Sequence, residues 1–249
     1  MSKQPIFVRG WLPAWGVEAM RLSFAALYKI LFRVEVYGRE NLPPSGGLIL
    51  SANHLSYIDT PLVFILMKGR KATVFAADKY RPHPIYRRIL EAVDCIWVHR
   101  GAIGPSTIKI AVQVLRNGSI LGVAPEGTRS LVTHALQPGK TGAAYLSLAA
   151  GVPVVPIALT GTDKGFQTLL RLRRARLTAT IGEPMAFTAP GDGHRPDAKL
   201  LDDYTTELMC RIAAMLPSEY RGVYAEHPRL KELLMVMARE EEDKGAGEM

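Results

Sequence analysis

Residues 52–61 read A-N-H-L-S-Y-I-D-T-P and set an imidazole five positions before a carboxylate. His54 and Asp59 are side chains that together can move a proton. A carboxylate that accepts from one ring nitrogen fixes the tautomer and leaves the other nitrogen as a general base. Such a base contributes about 10²–10⁴ in rate. The spacing excludes a pair along a regular helix, where positions i and i+5 point about 140° apart. A loop running into a helix start can bring the two together. The plainer reading makes Asp59, ahead of Thr60-Pro61, an N-cap and His54 a polar loop residue. Both readings stand on these ten residues alone, and one carboxylate oxygen could face the helix backbone while the other faces His54. Ser56 raises a Ser-His-Asp alternative, but no G-x-S-x-G elbow surrounds it, which argues against a serine nucleophile.

A second chemically loaded stretch is A-P-E-G-T-R-S, residues 124–130. Arg129 is a planar, always-charged fork suited to phosphate, Gly127 permits a tight turn, and Thr128 supplies a hydroxyl beside Glu126. Arg100, which follows C-I-W-V-H, is another candidate for an anionic pocket. Its plain reading is a solvated arginine in H-R-G-A-I-G.

Seven β-rich runs must position these groups: 33–38, 47–53, 72–77, 94–99, 119–125, 152–159 and 176–182. Helical patterns lie between them at 60–68, 84–92, 105–116 and 139–150. Alternation of nearly unbroken apolar strands with helices predicts an α/β domain whose mostly parallel central sheet of about seven strands is flanked by helices. G-L-I-L-S-A-N is then a buried strand, and T-P-L-V-F-I-L-M-K-G a helix with Pro61 in its first turn and Gly69 at its end. That places residues 53–59 at the carboxyl end of a strand, the rim where open α/β sheets bind ligands. Residues 124–130 follow another apolar strand. If the two strands are parallel, both motifs emerge at one rim.

Ahead of this body, residues 11–33 look at first like a membrane span. Projected at about 100° per residue, Glu18, Arg21, Lys29 and Arg33 share one arc, with Val17, Met20, Phe24, Leu27, Tyr28 and Leu31 opposite. Charges in mid-span would each cost about 2.5–3.5 kcal/mol. An amphipathic helix lying in the membrane interface, with Trp11 and Trp15 at headgroup level, avoids that cost. Packing on the protein's own core is the competing reading. The expected organisation is a membrane-associating helix over 1–35, an α/β domain over 36–227, and a charged, helical tail over 228–249.

The net charge of +8 over 249 residues favours an anionic partner, either an acidic membrane surface or a phosphorylated substrate. Nucleic acid is the weakest fit, since no aromatic-studded basic strand pair and no helix-turn-helix is visible. The basic run L-L-R-L-R-R-A-R, 169–176, is most simply solvated surface, with a membrane-facing patch as the sharper reading. Two cysteines far apart, Cys95 and Cys210, argue against a disulfide framework and for a reducing compartment. Six dispersed histidines argue against a zinc site.

In combination these blocks resemble the 1-acylglycerol-3-phosphate acyltransferases, the glycerolipid acyltransferases that make phosphatidic acid. The resemblance lies in four blocks in fixed order: N-H-x-x-x-x-D at Asn53, His54 and Asp59; an apolar strand ending in Arg100; E-G-T-R-S from Glu126 to Ser130 after a proline; and V-P-V-V-P-I-A-L around Pro156. It runs from about residue 36 to residue 225. The family often has aspartate where His99 stands and phenylalanine where Ala124 stands, departures that bear on the pocket's shape and acceptor. The resemblance implies that His54 is the general base on a lysophospholipid hydroxyl and that Asp59 orients it. The hydroxyl would attack the thioester of acyl-CoA or acyl-carrier protein directly. Glu126, Gly127, Thr128, Arg129 and Arg100 would hold the acceptor, with Lys79 assisting. It also implies no cofactor and no metal, and a monotopic or peripheral enzyme on the cytoplasmic face of the cell membrane. A different lysolipid or glycolipid acceptor, and a catalytically silent lipid-binding protein of the same fold, are the alternatives.

Overall fold

Every run read as a strand from its apolar content is a strand in the computed structural model, which describes residues 6–98, 104–188 and 196–247. In chain order the elements are β1 (Phe7–Val8), α1 (Ala14–Leu31), β2 (Arg33–Tyr37), β3 (Leu48–Ala52), α2 (Asp59–Leu66), β4 (Ala72–Ala77), α3 (Pro84–Leu90), β5 (Asp94–Val98), α4 (Pro105–Arg116) and β6 (Ile120–Val123). There follow α5 (Gly142–Ala150), β7 (Val154–Thr160), α6 (Gly165–Leu170), β8 (Arg176–Ile181), α7 (Ala198–Ala214) and α8 (Pro228–Gly247).

The strands form one eight-stranded sheet in the order β1-β5-β4-β6-β3-β7-β8-β2. Neighbours are parallel except β1 against β5 and β7 against β8. The eighth strand is β1, whose two residues are too few to show a period and which pairs Phe7 with Ile96 and Val8 with Cys95.

Successive side chains of a strand point to opposite faces, so a sheet covered on both sides needs apolar residues at every position. In β3 all five are buried. Ile49 joins one core cluster with residues of α4, α5, α7 and α8, including Ala111, Leu146, Leu208 and Leu230. Leu48 and Leu50 join the other, with Tyr28 of α1, Phe32 at its end, and Leu62 and Ile65 of α2. Cys95 and Cys210 are buried free thiols, and burial pushes both above the usual thiol value.

The front helix α1 is seated on this core through Val17, Met20, Phe24, Tyr28 and Leu31 of its apolar face, and the departure from the sequence reading is that Arg21 is drawn into the contact. Arg21 is buried, donating from Nε to Glu18 Oε2 at 2.8 Å and from Nη1 to the Ile65 carbonyl at 3.2 Å. Tyr28 donates to the Ile58 carbonyl at 2.7 Å, and Phe24 meets Phe64 edge-on at 6.1 Å. Leu27, expected on the packed face, is exposed. An ion pair one turn apart and a carbonyl acceptor satisfy the Arg21 fork, so the charge can sit against α2. Solvent instead meets Trp15, Ala19, Leu22, Ala26 and Ile30, one nearly uncharged stripe at helical spacing. Among the described residues no helix is long and apolar enough to cross a membrane.

The parallel pairing of β3 settles where the motifs meet. Leu48 to Ser51 pair with Ile120 to Val123 of β6, while Ile49 to Ala52 pair with Val154 to Ile157 of β7. The segments after β3, β6 and β7 therefore leave the sheet side by side at one rim.

Candidate active site

Asn53, the first residue past β3, locks the rim. Its side-chain amide donates to the Leu159 carbonyl at 3.0 Å and accepts the Leu159 N–H at 2.7 Å, a two-bond clasp onto β7. His54 follows, and its backbone is held from both sides by the segment after β6. Its N–H donates to Glu126 Oε1 at 3.0 Å and its carbonyl accepts the Ser130 N–H at 2.9 Å.

Asp59 opens α2 and turns its carboxylate back over the loop. Oδ2 lies 2.8 Å from His54 Nδ1 and accepts the N–H groups of Leu55 and Ser56, both at 2.7 Å. This corrects the N-cap reading, because the hydrogen bonds come from N–H groups ahead of the helix, not from the first turn of α2. It also corrects the division of labour between the two oxygens. One oxygen serves both His54 and the backbone, while Oδ1 is buried without a hydrogen-bond partner. Asp59 is almost fully buried and His54 partly open to solvent. With Nδ1 engaged, the imidazole can use Nε2 toward a substrate. Ser56 is occupied otherwise, its hydroxyl accepting the Ile58 N–H at 3.1 Å.

Glu126 is not where acceptor binding would need it. It is buried, and its second oxygen accepts the Gln137 N–H at 2.9 Å. Burial pushes its carboxyl above the usual range, against the pull of those two N–H groups. Both oxygens are satisfied by protein backbone, so Glu126 positions the His54 loop. Gly127 and Thr128 are exposed at the turn. Gly127 has φ +70°, and a Cβ there would lie 2.8 Å from Lys140 Nζ, so a lysine stem crosses the bare turn.

Arg129 stacks over the Tyr57 ring at 3.7 Å and donates to the Tyr80 hydroxyl. Lys79 sits 4.9 Å over the Tyr80 ring, which brings it to the Arg129 cluster. The guanidinium holds the Tyr57 hydroxyl below the usual tyrosine value, as the neighbouring lysine also does. Tyr57, Tyr80, Gln137 and Lys140 have no spacing signature, and only the tyrosine beside Lys79 in D-K-Y is suggestive. Arg100 and His99 lie outside the described residues.

The family model described as Acyltransferase matches residues 33–160, the span that carries β2 through β7 and every motif above. The chain belongs to this acyltransferase family. Relatives of this acyltransferase include the 1-acyl-sn-glycerol-3-phosphate acyltransferase of Bacillus subtilis, 28% identical over 72% of this chain and 86% of that one. The human 1-acyl-sn-glycerol-3-phosphate acyltransferase alpha is 30% identical over 83% of this chain and 72% of its own length. An N-acylphosphatidylethanolamine synthase of Arabidopsis thaliana is 30% identical over 61% of this chain and 60% of that protein. The crystal structure of the 1-acyl-sn-glycerophosphate acyltransferase PlsC from Thermotoga maritima superposes with a TM-score of 0.59 at 24% identity, covering 78% of this chain and 76% of that one, and shows a shared fold.

Proposed function

We propose that this acyltransferase moves a fatty acyl chain from acyl-CoA or acyl-carrier protein to the sn-2 hydroxyl of lysophosphatidic acid, giving phosphatidic acid. The observation that carries the reading is the 2.8 Å contact of His54 Nδ1 with a buried Asp59, opening on the rim that also presents Arg129. His54 Nε2 takes the acceptor hydroxyl proton as the oxygen attacks the thioester carbonyl. A C–O bond forms, the C–S bond breaks, and the proton passes to the departing thiolate. Arg129, with Lys79 and Lys140 nearby, meets the phosphate, while Tyr57 and Tyr80 hold the guanidinium flat. Thr128 supplies a hydroxyl to the glycerol part at the exposed turn. No metal or cofactor enters this scheme.

A membrane-borne acceptor is reached from the bilayer surface, and the Trp15–Ile30 stripe of α1 is the face we assign to it, on the cytoplasmic side of the cell membrane. The helix thus serves both readings of its sequence, one face on the core and another on lipid. Similarity to an N-acylphosphatidylethanolamine synthase favours, as a second reading, a different phospholipid acceptor at the same site. Free thiol released from acyl-CoA, followed with lysophosphatidic acid and then with a panel of lysolipids, tests both. His54→Ala should abolish release in every case, and full activity in that variant would remove the base assignment.

A further inference from the structure

A second patch beside the active-site rim is as unusual for a water-facing surface as the α1 stripe. After β7 the chain passes Gly161 and enters α6, whose first residue presses on the histidine loop. A Cβ at Gly165 would lie 2.4 Å from Ile58 Cδ1, and the Ile58 carbonyl holds the Tyr28 hydroxyl. Leu169 turns inward onto the core under α1 and α2. Phe166 and Leu170, four apart on the outer side, are 57% and 85% exposed, and Leu172 beyond them is 97% exposed.

Leu172 is the telling residue. Its φ of +54° is one of two left-handed non-glycine conformations among the described residues, and a leucine side chain disfavours it. Backbone hydrogen bonds from Leu172 to Leu169 at 2.9 Å and from Arg173 to Thr168 at 3.0 Å hold the turn in place. These bonds are the usual closing of a helix C-terminus, in which the left-handed residue is most often glycine; with leucine there, an apolar side chain points into solvent.

Basic residues interleave with the apolar ones. Lys164, Arg171, Arg173 and Arg174 are exposed, and among the described residues Arg171 and Arg173 have no ion-pair partner. Arg174 donates to the carbonyls of Lys29 and Phe32, tying the turn to the end of α1 beside Ile30 of the lipid-facing stripe. The nearby acid, Asp163, turns away to accept the Tyr220 hydroxyl at 3.0 Å.

We infer that the tip made by α6 and the 170–174 turn is a second contact with an anionic lipid bilayer, apolar side chains entering the interface and arginines meeting phosphate headgroups. Apolar and basic residues alternating on one small protrusion match that surface in both charge and hydrophobicity. Tied to the end of α1 through Arg174 and pressed on the His54 loop through Gly165, the tip would extend the α1 stripe and add a second point of contact with the bilayer. The inference rests on the reading of an enzyme whose acceptor lies in a membrane, but its test does not require turnover.

The full chain is sedimented with vesicles of phosphatidylcholine containing phosphatidylglycerol, and with phosphatidylcholine alone. Arg171→Ser with Arg173→Ser should weaken partitioning onto the anionic vesicles roughly fivefold per arginine and leave neutral vesicles unaffected. Leu170→Ser with Leu172→Ser should weaken partitioning onto both. These side chains are exposed, so melting temperature and activity in detergent micelles should hold. Since Cys95 and Cys210 are buried, Leu170→Cys carrying a polarity-sensitive fluorophore gives a separate readout, with emission shifting blue on addition of anionic vesicles. Unchanged partitioning in both pairs together with unshifted emission would overturn the inference. Selective loss of transfer from an acyl-carrier protein, with partitioning intact, would overturn it in favour of a protein-docking surface. An inactive parent chain that still partitions through the tip would count against the acyltransferase reading alone.

Discussion

Glu126 accepts the backbone N–H of His54 at 3.0 Å across 72 residues of sequence, and four positions on, Ser130 donates to the carbonyl of the same histidine. The E-G-T-R-S block thereby fixes the peptide of His54, the proposed base, while Asp59 fixes its ring. Two motifs separable in sequence are one mechanical unit at the rim, joined on the other side to β7 through Asn53.

Glu126→Gln should therefore behave as a positioning change. The amide keeps the shape but turns one acceptor toward an N–H as a donor, leaving a buried mismatch worth about 1–3 kcal/mol. The expected result is a turnover lowered roughly ten- to hundredfold with the acceptor KM nearly constant, and a lower melting temperature. Steady-state kinetics with lysophosphatidic acid and a thermal melt check it. A rise confined to KM would return Glu126 to the acceptor site.

The reach of sequence reading here follows physical lines. Buried parallel strands are apolar at every position, so 47–53 and 152–159 announce themselves, whereas β1 is two residues long and rests on pairing with β5. The apolar face of α1 was legible, but the burial of Arg21 was not, because a charge is read as solvent-facing and only the Ile65 carbonyl and Glu18 show why this one can be buried. The strand, loop and helix context of His54 and Asp59 made their contact possible, and the three further blocks of the resemblance chose it over the cap reading. The direction of the Glu126 carboxylate could not, since residue type says nothing of which N–H groups it will find. Tyr57 and Tyr80 converge on Arg129 from separate loops, a meeting that depends on the whole rim.

Arg129→Lys should raise the KM for a phosphorylated acceptor at least tenfold, because an ammonium lacks the planar fork and stacks poorly on Tyr57. Tyr80→Phe removes one anchor of the guanidinium and should raise the same KM severalfold with turnover little changed. In the Arg129→Lys background Tyr80→Phe should add almost nothing, since the hydroxyl no longer has its partner. Kinetics of the two single variants and the double variant complete the cycle, and full additivity would dissociate the pair.

Gly127 is required by its conformation, since the Lys140 side chain that crosses it can swing aside. Gly127→Ala places a Cβ at φ +70° against the Lys140 stem and should cost about 1–2 kcal/mol of stability from the backbone alone. Lys140→Ala should leave stability unchanged and weaken binding of the phosphorylated acceptor. Adding Lys140→Ala to Gly127→Ala should recover none of the backbone strain. Denaturant unfolding of the three variants measures this, and full recovery in the double variant would make the lysine contact, not φ, the cause.

Remote from the rim, α8 is clipped to α7 by Glu207, whose carboxylate accepts from Arg211 Nε at 2.7 Å and from Arg229 Nε at 2.5 Å. The hydrogen bond from Arg229 holds its carboxyl below the usual 4.5, with burial opposing. A carboxyl whose folded value lies under its unfolded value favours the fold only when ionised. Its contribution is complete above the unfolded value and disappears as the pH falls through the folded one. Glu207→Gln should be less stable than the parent by about 1 kcal/mol at neutral pH, a modest figure because Arg229 is partly exposed. The gap should close on acidification below pH 4.5, as the parent loses the ionised partner that the variant lacks. Unfolding midpoints of both chains across that window decide it, and a gap of constant size would mean that the clip acts by packing and not by charge.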